Sequence, residues 1–130
     1  MSCEQQLEDA YQEWRRLAEA EGEAIRNRNW LVVADCQNAL KRLQPEIIRR
    51  TDGAHAEWSR NGVNRESREN HVRGVITELI EIERRNGEWL DDARRVAQSQ
   101  ITQLEQAGAT LRQIQRSYAP APAAAWTSFS

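Results

Sequence analysis

Residues 72–118 read VRGVITELIEIERRNGEWLDDARRVAQSQITQLEQAGATLRQIQRSY, and this stretch decides the fold. Val72, Ile76, Leu79, Trp89, Ala93, Val96, Leu104, Leu111, Ile114 and Tyr118 recur in it at spacings built from threes and fours. Such a beat puts apolar side chains on one stripe of an α-helix, and another helix has to cover that stripe. Upstream, Cys3, Leu7, Ala10, Trp14, Leu17, Glu21 and Ala24 alternate steps of four and three. Between the two lie Val33, Cys36, Leu40, Leu43 and Ile47 at the same spacing, continued by Ala54 and Trp58. The expected fold is all-α: an antiparallel helical hairpin followed by a long third helix, a coiled-coil-like bundle.

The first helix is expected over about 3–26, with Glu4, Glu8, Asp9 and Glu13 suited to the positive end of its dipole. Asn27-Arg28-Asn29 breaks the rhythm, and Asn29 is a good cap for a second helix starting near Trp30. So short a connection forces the two helices antiparallel. Pro45 removes an amide and collides with the carbonyl of Lys41, so this helix is expected to kink or restart there before ending near Arg60. Asn61-Gly62-Val63-Asn64 reads as a turn, and the third helix starts with Asn64 or Ser67 near its cap. Beyond Tyr118, Ala119-Pro120-Ala121-Pro122 opens a Pro/Ala-rich flexible tail that ends after Trp126. The expected domains are a helical body over 1–118 and a tail over 119–130.

Asn86-Gly87 is the weak point of the third helix. Two arrangements follow. A continuous helix over 65–117 is about 80 Å long at 1.5 Å per residue, whereas 24 residues of first helix reach only about 36 Å. The hairpin then leaves Val96, Ile101, Leu104, Leu111, Ile114 and Tyr118 uncovered. At roughly 1.5–3 kcal/mol for each large side chain, exposing them forgoes on the order of 10 kcal/mol, which marks a binding surface. The alternative is a break at Asn86-Gly87, with 88–117 folding back to close a four-helix bundle.

Composition narrows the function classes. The chain has 130 residues, 29% of them charged, and a net charge of −2. Residues 1–26 carry seven acids against three Arg, and no element has a basic excess of the kind nucleic acid demands. No segment approaches the roughly 20 apolar residues of a membrane span, and the start lacks a signal-peptide pattern. A cytoplasmic protein is expected. There Cys3 and Cys36, both on apolar stripes, act as small hydrophobes rather than disulfide partners.

Chemistry-bearing patterns are missing. Asp52-x-x-His55 has metal-ligand spacing but occurs once, and His71 is isolated. No nucleophile elbow or phosphate-cradling glycine loop occurs. Neither an enzyme activity nor a cofactor is expected. Glu21 and Asn86 are polar residues on the seams, where such residues set register or partner number. Of the tryptophans, Trp14, Trp30, Trp58 and Trp89 lie on or beside the stripes, and Trp126 stands apart as a candidate interaction tag.

The layout resembles the flagellar type III export chaperones of the FlgN type. The resemblance rests on an acidic first helix with Glu21, Glu23, Ala24 and Ile25 near its end, and on the turn Asn27-Arg28-Asn29. It includes a second helix with Lys41 and Leu43-Gln44, and a long third helix ending in Leu111, Ile114 and Tyr118. It implies a small cytoplasmic helical protein that escorts a hook–filament junction subunit to the export machinery, binding it through the C-terminal amphipathic helix. Carried to this chain, the partner-binding residues are Trp89, Leu90, Ala93, Val96 and Ala97, followed by Ile101, Leu104, Leu111, Ile114 and Tyr118. Trp126 is added as the tail's contact. The alternative is a structural adaptor that self-associates through the same stripe as a homodimer and has no client.

Overall fold

The computed structural model describes residues 2–62 and 64–118, and the expectations placed on residues 119–130, Trp126 among them, fall outside the described residues. The described residues form three helices and no strand: α1 (Cys3–Arg26), α2 (Trp30–Asn61) and α3 (Arg65–Tyr118). The chain divides into two compact units, residues 1–93 and residues 94–130. No described helix is long and apolar enough to cross a membrane.

The first unit owes its boundaries to local chemistry. Ser2 starts α1, its hydroxyl accepting from the Gln5 amide at 3.1 Å. α1 stops where Arg28 takes the left-handed conformation, φ 57°. The Arg28 and Asn29 amides then donate back to Ile25 O (3.1 Å) and Ala24 O (2.8 Å), which satisfies two end carbonyls. Asn29 in turn caps α2, accepting from the Val32 amide at 3.4 Å. At the far end Gly62 supplies the left-handed C-cap of α2, φ 61°. Asn64 opens α3 by accepting from the Ser67 amide at 3.2 Å.

Cross-helix contacts fix the directions. The Cys3 amide donates to the Glu57 carboxylate at 2.7 Å, and Arg50 donates to Gln6 O at 2.9 Å, so α1 and α2 run antiparallel. Arg68 meets Glu4 (2.5 Å), His71 meets Glu8 (2.8 Å), Arg15 meets Glu78, and Arg85 meets Glu19 (3.0 Å). These partners climb both helices together, so α3 lies parallel to α1 within the unit. The result is an up-down-up three-helix bundle. Partly exposed pairs of this kind contribute about 0–1 kcal/mol each, so they orient the helices more than they stabilise them.

Stability comes from the seams. Leu7, Tyr11, Ala54, Trp58 and Leu79 form one buried cluster, and Ala24, Ile25 and Val33 a second, against which Trp89 and Leu90 pack. α1 buries a wider face than a simple two-in-seven stripe. Tyr11, Ala18 and Ile25 are buried beside Leu7, Ala10, Leu17 and Ala24, because α1 has a neighbour on two sides.

Two expectations need correction, and one open choice is decided. Of the two arrangements weighed for the third helix, the continuous one holds: α3 runs unbroken through Asn86-Gly87. The reason is local: Asn86 is buried, its amide donating to Ala18 O at 2.7 Å and to Glu21 Oε1 at 3.3 Å, which anchors the turn that glycine weakens. A helical glycine costs only about 1 kcal/mol relative to alanine. α2 likewise does not restart at Pro45, which sits inside it on the exposed face where water can take the freed carbonyl. Finally, the α3 seam passes through Val75 rather than Ile76, which is 37% exposed.

Candidate partner-binding face

The residues expected to bind a partner fall into two groups. Trp89, Leu90 and Ala93 belong to the first unit and are engaged by its own hairpin. Ala93 is buried, while Trp89 and Leu90 are half-buried against Ala24, Ile25 and Val33. Two guanidinium groups also lie over the Trp89 ring, Arg85 at 4.4 Å and Arg26 at 5.2 Å from its centroid. Cation–π contacts of this kind contribute about 0.5–1 kcal/mol each near the surface. Arg85 is steadied in turn by Glu19. These residues spend their apolar surface on the fold.

The second group lies in the second unit and is bare. Leu104 is 73% exposed, Leu111 66% and Tyr118 82%, with Val96, Ile101 and Ile114 at 44–47%. Ala97 is exposed as well. In the helix beneath them Thr110 Oγ1 donates to Gln106 O at 3.0 Å and Ser117 Oγ to Ile114 O at 2.7 Å. A Cβ built on Gly108 would meet only Arg112 Nη1, at 3.5 Å, so this glycine makes a shallow dent in the stripe rather than a constraint. Leu104 and Leu111 stand seven residues apart on one face, with Ile101 and Tyr118 completing it.

The two polar seam residues pair with each other. Glu21 is 5% and Asn86 2% exposed, and Gln37 adds a hydrogen bond to the Glu21 carboxylate. Burial is the main force pushing the Glu21 carboxyl above its ordinary value, the nearby Glu83 charge adds to it, and the Asn86 and Gln37 hydrogen bonds oppose it. Gly22 makes the pairing sterically possible, since a Cβ there would sit 2.4 Å from Asn86 Oδ1.

One surface escaped the sequence reading. Ile48, 66% exposed, lines a cleft of about 500 Å³ together with Tyr11, Ile47, Thr51, Val72 and Ile76. The signal was available in the adjacent pair Ile47-Ile48: consecutive helical residues point about 100° apart, so a narrow seam that covers Ile47 leaves Ile48 uncovered. Among the described residues, no group of three or more His, Cys, Asp or Glu is gathered as a metal ion would need. The sequence matches no family model, and neither a characterised protein nor a solved structure matches it.

Proposed function

We propose that the chain is a cytoplasmic helical chaperone of the FlgN type. It binds an aggregation-prone helix of a flagellar type III secretion client, of the hook–filament junction class, and delivers it to the export machinery. The observation carrying this reading is the run Ile101, Leu104, Leu111 and Tyr118, exposed along one face of the second unit. A client helix laid on that stripe removes apolar surface on both partners, worth roughly 1.5–3 kcal/mol for each large side chain covered. The chain then needs no reaction and no cofactor of its own; covering and releasing the client is the whole task. The layout described for the FlgN-type chaperones supports the same assignment.

Calorimetric titration of a purified hook–filament junction subunit into the chain tests it. Saturable binding is expected, with slowed amide exchange over residues 97–118. Leu104→Glu is expected to abolish binding while leaving the helicity of the chain intact. Unchanged affinity in that variant, or protection confined to residues 1–93, refutes the assignment of this face.

A further inference from the structure

The second unit carries a stricter repeat than the exposed residues alone reveal. Ala97, Ile101, Leu104, Gly108, Leu111, Gln115 and Tyr118 alternate steps of four and three without a lapse. In coiled-coil terms Ile101, Gly108 and Gln115 hold a positions, and Ala97, Leu104, Leu111 and Tyr118 hold d positions. Glu105 and Arg112 flank the stripe on one side, each one residue after a d leucine. Ala107 and Ile114 flank it on the other, each one residue before an a position.

Those flanks discriminate between ways of pairing two copies. In a parallel pair Gly108 faces Gly108 and leaves a gap, while Glu105 and Arg112 lie beside the uncharged Gln100 and Ala107. An antiparallel pair brings like flanks together. In the antiparallel register centred between residues 109 and 110, Leu111 of the second copy fills the dent at Gly108, and Ile101 lies on the second copy's Tyr118. Ile114 covers Ala107 on one edge. On the other edge Glu105 meets Arg112 of the second copy, and the twofold axis repeats the pair. Centring the pair half a heptad earlier sets Glu105 against Glu105 instead. Gln115 falls opposite Leu104, a polar residue at a core layer, which weakens the pairing and keeps it exchangeable.

We infer that, without a client, the stripe is covered by a second copy of this chain in an antiparallel coiled coil held in register by two reciprocal Glu105–Arg112 pairs. This rests on the helix-binding stripe of the proposed function and adds an occupant that a client must displace.

Sedimentation equilibrium on the full chain, with Glu105→Arg and Arg112→Glu made singly, tests the inference. The wild-type chain is expected to dimerise. Each single reversal sets two like-charge contacts across the pair and is expected to raise the dissociation constant roughly tenfold or more. An equimolar mixture of the two variants restores both attractions in a heterodimer and is expected to return to the wild-type value. A wild-type monomer overturns the inference; so do single variants that pair like wild type, or a mixture that fails to recover. A wild-type monomer that still binds the junction subunit through Leu104 leaves the chaperone reading intact. A dimer with the expected charge behaviour that never yields to the subunit removes that reading and leaves the self-pairing.

Discussion

Gly22→Ala puts the packing of the first unit to its sharpest test, because propensity and structure disagree about its sign. Alanine in place of a helical glycine ordinarily gains about 1 kcal/mol. At position 22, however, the new Cβ would lie 2.4 Å from Asn86 Oδ1 and 3.0 Å from Trp89 Cζ3, with Arg85 Nη2 at 3.1 Å. Arg85 can swing away, but Asn86 is buried and its amide is held by Ala18 O at 2.7 Å. Moving Asn86 weakens a buried hydrogen bond, at about 1–3 kcal/mol, and crowding the seam costs a comparable amount. The net effect is a loss of about 2–3 kcal/mol, or on the order of 10 °C in Tm for a unit of this size. Gly74→Ala is the control, since nothing lies within 4 Å of its Cβ, and a gain of a few degrees is expected. Thermal unfolding followed by tryptophan fluorescence reads the first unit through Trp14, Trp58 and Trp89. In an Asn86→Ala background most of the Gly22→Ala penalty should vanish, which a double-mutant cycle measures directly. If Gly22→Ala stabilises the wild type as much as Gly74→Ala does, the Glu21–Asn86 contact is not seated as described.

Further outcomes follow from burial, backbone and charge. Leu7→Ala, at a site 1% exposed, should cost about 2–5 kcal/mol in urea unfolding, whereas Leu104→Ala, at 73% exposed in the single chain, should fall within about 0.5 kcal/mol of wild type when both are measured at a concentration too low for self-pairing. Equal losses under that condition would mean that the stripe is already covered within its own chain. Arg28→Gly relieves a left-handed residue at φ 57° and should stabilise by up to about 1 kcal/mol in the same assay, since glycine adopts that angle freely. Glu21 has a raised folded-state pKa, so the native state binds its proton more tightly than the unfolded chain does. Its contribution therefore grows less favourable as pH rises from about 4.5 through the folded value, then levels off. Glu21→Gln should flatten that part of the pH–stability profile, and a slope identical to wild type would contradict the buried carboxyl.

The fold was legible because the seams are dense and the boundaries are chemical. Cys3, Leu7, Ala10, Trp14, Leu17, Glu21 and Ala24 sit on the packed face of α1, and the Asn29 cap and the Gly62 stop fall where residue type alone puts them. Breaks were harder to read. Pro45 and Gly87 carry local penalties that a sequence shows plainly, but what offsets them is tertiary: exposure at Pro45, and the Asn86 anchor beside Gly87. The candidate site was legible in part. A uniform stripe from Trp89 to Tyr118 gives no hint that Trp89, Leu90 and Ala93 are consumed by the hairpin while Leu104 and Leu111 stay bare. That division depends on where α1 and α2 end against α3, which no spacing within α3 records.

The pairing of Glu21 with Asn86 explains how such a division is kept. Heptad seams are nearly self-similar, so sliding α3 by seven residues along the hairpin would still bury apolar side chains. Such a slip would carry Leu79 or Ala93 opposite Glu21, leaving a buried carboxylate without its Asn86 partner. Asn86 would move one heptad along the seam, where its amide would lose both Ala18 O and Glu21. Each buried group stranded in this way costs about 1–3 kcal/mol, more for the charged one. The polar pair thus does little for net stability but separates the native register from its neighbours by several kcal/mol. In the native register the first unit's burial on α3 ends at Ala93. In the proposed function, the same buried pair therefore decides which of the leucines on α3 remain for a guest.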